Sequence, residues 1–66
     1  MNREQLQAAL ELLVDAEGLA PVLWALCRMA ADKAEHLRGN WQDGPAARTW
    51  EKDGKLIERA AVKVTN

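Results

Sequence analysis

The sequence predicts an all-α fold of three helices, the second and third forming an antiparallel hairpin that assembles with other copies into a homo-oligomeric helical bundle. Three observations lead there. Apolar residues recur every three or four positions through most of the 66 residues, the spacing that puts side chains on one helical face. Helix-ending and helix-starting residues stand together at two internal points, Gly18 to Pro21 and Asp43 to Pro45. No segment alternates apolar and polar residues as a half-buried strand does.

The first helix is expected over about residues 3–17. Asn2 and Gln5 form a capping pair, and Leu6, Ala9, Leu10, Leu13 and Val14 follow at helical spacing. Gly18 can take the left-handed conformation that stops a helix, and Pro21 suits the start of the next because its missing N–H would be unpaired there. The second helix, about 21–41, carries the seam Leu19, Leu23, Leu26, Ala30, Ala34, Leu37 and Trp41, an a/d-like pattern. Gly39 lies inside it and weakens its last turn. Asp43 is a good N-cap with Gly44 and Pro45 in the first turn, so the third helix is expected over about 44–63. Its stripe runs Ala47, Trp50, Gly54, Ile57, Ala61 and Val64. Gly54 weakens a helix unless its bare backbone admits a close neighbour, with Trp24, Trp41 or Trp50 as candidates. The other reading of Gly54 is a hinge.

A single domain of this length buries only about 60% of the surface its unfolded chain exposes. Small domains offset that with disulfides, a metal, tight packing or oligomerisation. Cys27 is the single cysteine, so no intrachain disulfide forms, and with the lone His36 it falls short of a closed zinc site. Between Leu19 and Ala31 the middle helix is apolar nearly all round. The two flanking helices are expected to cover two of its sides, leaving the stripe Ala20, Trp24, Cys27 and Ala31, with Leu23 beside it, for a second copy.

Nine Lys plus Arg against ten Asp plus Glu gives a net charge of −1, with acids and bases interleaved along the chain. That composition argues against a nucleic-acid partner. Met1 to Gln5 is polar, and no run approaches the roughly 20 apolar residues that span a bilayer. The expected location is the cytoplasm, away from membranes.

Lys33, His36 and Asn40 form a polar stripe at i, i+3 and i+7, followed by Gln42. Together with Trp41 and Trp50 these are residue types that hold anions and stack on planar ligands. The plainer reading is a solvated face, with Trp41 and Trp50 packed on each other at the closed end of the hairpin. Cys27 and His36 are nine residues apart on one helix, too distant for one to activate the other. The sequence shows no glycine-rich phosphate loop or metal-binding histidine pair. Neither enzymatic activity nor a cofactor is expected.

The segment Lys33-Ala34-Glu35-His36-Leu37-Arg38-Gly39-Asn40-Trp41-Gln42-Asp43, followed by Ala47 and Trp50, resembles small helical proteins of bacteriophages and other bacterial mobile elements, a group with no assigned activity to carry over. Gly54 departs from the alanine such chains would more comfortably place there. The resemblance implies a non-enzymatic binder that blocks a host protein or sequesters a small ligand such as a nucleotide signal. The alternatives are a protein–protein adaptor and a purely structural helical oligomer.

Overall fold

The computed structural model describes residues 1–40 and 42–66, which form three helices: α1 (Arg3–Glu17), α2 (Leu19–Asn40) and α3 (Gly44–Lys63). Each helix boundary has a local chemical cause. The Asn2 side chain accepts the Gln5 backbone N–H at 2.8 Å, and the Gln5 side chain accepts the Asn2 N–H at 3.0 Å. This reciprocal box satisfies two of the donors that a helix start leaves unpaired. Gly18, at φ +95° and ψ 157°, then stops α1 and donates its N–H to the Val14 carbonyl. Only glycine adopts that conformation readily.

α2 begins at Leu19, two residues before the Pro21 start that the sequence suggested. Proline is tolerated as the third helical residue because first-turn N–H groups have no intrahelical partner. The Ala20 N–H, another first-turn donor, finds the Asn66 carbonyl at 2.6 Å, which holds the end of α3 against the start of α2. At the other end Gln42 turns the chain through a left-handed φ of +52°, and the Asp43 N–H donates to the Leu37 carbonyl at 3.0 Å. The Asp43 carboxylate caps α3 by accepting the Ala46 N–H at 3.1 Å.

α2 and α3 form the antiparallel hairpin. Ala30 faces Gly54 and Arg38 pairs with Glu51, so later positions on one helix meet earlier ones on the other. The fully buried residues among those described are Ala30, Ala34, Ala47 and Ala61, all alanines, with Leu23, Leu26, Leu37 and Ile57 half-buried around them. A seam this small lets the two backbones approach closely. Gly54 shows how closely, because a Cβ placed on it would lie 3.1 Å from the Ala30 Cβ. Close packing therefore accounts for Gly54, with an alanine methyl rather than an indole as its neighbour.

α1 departs from expectation. It covers little of α2, which it approaches at few points, has no close backbone approach to α3, and buries none of its own residues. The reason is the link. Antiparallel helix pairs need loops of about 2–5 residues, and one residue, Gly18, separates Glu17 from Leu19. The helices can only bend into an elbow. The molecule is accordingly flat, 37 × 29 × 15 Å.

Replacing Gly54 by leucine forces a side chain into the alanine seam. Urea unfolding followed by far-ultraviolet circular dichroism is expected to show a loss of about 1–3 kcal/mol or more. An unchanged midpoint would contradict the close approach of α2 and α3.

Candidate functional site

The elbow creates a concave apolar surface. Leu10 and Leu13 of α1 and Val22, Ala25, Leu26 and Met29 of α2 line a groove of about 370 Å³, with Glu17 and Pro21 at its corner. Leu13 and Met29 are each 53% exposed, so the groove is open to solvent rather than a closed cavity. The apolar face continues along α1 through Leu6 and Val14, bordered by Arg3, Gln7, Glu11 and Asp15. An apolar centre with a polar rim is the anatomy of a protein-binding surface.

The groove leads along α2 into the polar stripe. Val22, Leu26, Met29, Lys33, His36 and Asn40 follow at intervals of three and four, so one face of the helix changes from apolar to polar midway along. Lys33, His36 and Asn40 are all exposed, and the Asn40 amide donates to His36 Nδ1 at 2.9 Å. Gln42 is exposed beyond the end of α2, and Trp41 lies outside the described residues.

Trp50 is elsewhere. It sits with Cys27, Ala31 and Gly54 around a shallow recess of about 250 Å³ on the other flank of the hairpin. Lys33 and Ala31 project about 160° apart around α2, so the structure does not bring Trp50 to the polar stripe. The remaining residues expected at an interface divide in the same way: Ala20, Leu23 and Cys27 are half-buried against the hairpin, whereas Trp24 (46% exposed) and Ala31 face outward.

Of the stripe expected for a second copy, the structure leaves Trp24 and Ala31 on the surface, and the elbow groove is a surface that the sequence did not suggest. The missing signal was the length of the link at Gly18, which fixes where the apolar face of α1 can go. Among the described residues no three His, Cys, Asp or Glu side chains group as metal ligands, and no helix is long and apolar enough to cross a membrane. Comparison of the chain with protein-family models, with curated proteins and with solved structures finds no match.

The geometry of the groove depends on Gly18. An added Cβ there would meet the Asn66 carbonyl oxygen at 3.3 Å and Pro21 at 3.4 Å, on a backbone that L-residues avoid. Gly18→Ala is expected to lower the melting temperature, by the equivalent of about 1–3 kcal/mol. Differential scanning calorimetry checks this, and an unaltered transition would mean that the elbow is not held as described.

Proposed function

We propose that the protein is a non-enzymatic, self-assembling helical adaptor, in which the groove at the elbow and the apolar face of α1 are covered by a second copy of the chain. One observation carries this reading. The single chain exposes 5450 Å², whereas a compact folded monomer of 7.3 kDa exposes about 4,200 Å². The excess of about 1,300 Å² is more than the roughly 800 Å² that each partner contributes to a standard protein interface.

The distribution of that surface supports the same partner. Leu6, Leu10 and Leu13 form one face of α1 and stand in water, although a helix of 15 residues is marginal without packing. The groove beside them is lined by the same kinds of side chain, on the same chain. Two copies related by a twofold axis can each lay α1 into the elbow of the other, which gives Leu6, Leu10 and Leu13 an apolar partner in a closed pair. Heterologous partners need a second, separately evolved surface. A second copy needs only what is present.

Sequestration of a nucleotide-like ligand draws less support, since Trp50 stands apart from Lys33, His36 and Asn40. A bound body of several copies would still present both flanks of its hairpins, including Trp24, to further proteins. Such a body fits the adaptor reading, and a phage or mobile-element origin adds the blocking of a host protein as its use.

Sedimentation equilibrium at micromolar to millimolar concentrations is expected to give a mass of at least two chains. Leu6→Gln combined with Leu10→Gln, both exposed on α1, is expected to loosen association by at least about 100-fold, or about 3 kcal/mol, while amide-exchange protection of Ala30 to Ala34 in the hairpin is kept. A wild-type mass of one chain throughout, or an unaffected double variant, contradicts the proposal.

A further inference from the structure

We propose that the outer face of α3 binds the phosphodiester backbone of a nucleic-acid strand without sequence preference. Arg48, Lys52, Lys55, Arg59 and Lys63 follow at intervals of four, three, four and four, and all five are exposed. At 3.6 residues per turn they fall within an arc of about 80° and form a straight row about 22 Å long. That row points away from the Ala47, Gly54 and Ala61 seam that holds α3 to α2. None of the five makes a hydrogen bond or ion pair with another described residue.

Interleaving in the sequence hid this row, because a helix sorts neighbours onto different faces. The three carboxylates of α3 lie off it. Glu51 is held by Arg38 of α2, Glu58 stands on one flank and Asp53 on the other. The chain is also polarised along its length: Arg3 stands alone against Glu4, Glu11, Asp15 and Glu17 at the α1 end, while residues 19–66 carry eight Lys or Arg against six Asp or Glu. A net charge near zero therefore conceals one cationic edge.

Successive cations at i, i+3 or i+4 repel one another and weaken the helix that carries them. Lys63 in the last turn and Glu51 four residues before Lys55 offset part of that repulsion and leave Lys52 and Arg59 without such a local partner. A linear polyanion removes the rest, with phosphates meeting Lys and Arg along the helix. The row is one residue wide, and the exposed apolar side chains beside it are Leu56 and Val62 alone, one on each side; an interfacial helix inserts a broad apolar face, so the row suits a strand better than an anionic lipid surface. Lys and Arg placed for phosphates, with no Asn or Gln among them, position a backbone and read no base.

The test is fluorescence anisotropy of labelled 20-nucleotide DNA, single-stranded and duplex, titrated with the full chain at 50 and 200 mM NaCl. Up to five phosphate contacts are expected to weaken binding by about 100- to 500-fold between those salts. Lys52→Gln, Lys55→Gln and Arg59→Gln together are expected to lower the slope of log K against log salt by about 2 to 3. Scrambling the DNA sequence is expected to change nothing. The Leu6→Gln/Leu10→Gln variant is expected to keep measurable binding, so a failure of self-association and a failure of this inference are separately visible. No anisotropy change at 50 mM salt, equal binding by the triple variant, or binding to phosphatidylserine vesicles but not to DNA would each overturn it.

Discussion

One residue lies between α1 and α2, and most of what distinguishes this molecule follows from that. A link of one glycine cannot reverse a helix, so α1 cannot fold back over α2 and is left projecting from the corner. Glycine is required for a second reason, because the backbone at Gly18 takes a φ of +95° beside the Asn66 carbonyl. The elbow then opens a groove between Leu10 and Leu13 on one arm and Val22, Ala25, Leu26 and Met29 on the other. Apolar surface that a longer loop would have hidden inside one chain becomes surface available to another.

The hairpin of α2 and α3 tolerates this because it is held by closeness rather than by bulk. Its buried residues are alanines, and Gly54 lies against Ala30. Small side chains release little hydrophobic free energy each, so the seam depends on backbone proximity, half-buried leucines at its margins and good caps at both ends. The Asp43 cap sets its closed end, and the exposed ion pairs, Arg38–Glu51 between the helices and Arg28–Asp32 at 3.8 Å within α2, each add little. A thin core of this kind makes cover from outside more valuable to the fold.

Much of the architecture was legible in the sequence. The capping box of Asn2 and Gln5, the stop at Gly18, the Asp43 cap and the seam through Ala30, Ala34, Ala47 and Ala61 all follow from local rules whose partners lie within a few residues or one helical turn. The direction of α1 did not follow, since periodicity says which face is apolar but not what that face meets. Trp50 was misgrouped for a related reason: nearness to the turn in sequence suggested nearness to Lys33, His36 and Asn40, whereas rotation about the helix axis carries it to the opposite flank. The cationic row on α3 was lost because acids and bases alternate along the chain, although they separate around the helix.

α1 stands clear of its own hairpin, and the proposed second copy would cover it. Amide hydrogen exchange measured as a function of protein concentration tests this most directly. Protection of the α1 amides, Leu6 to Glu17, is expected to rise with concentration, while protection of the Ala30 to Ala34 and Ile57 to Ala61 amides in the hairpin stays nearly constant. Protection of α1 that is strong and independent of concentration would show that the helix is packed within a single chain, and would contradict the proposal.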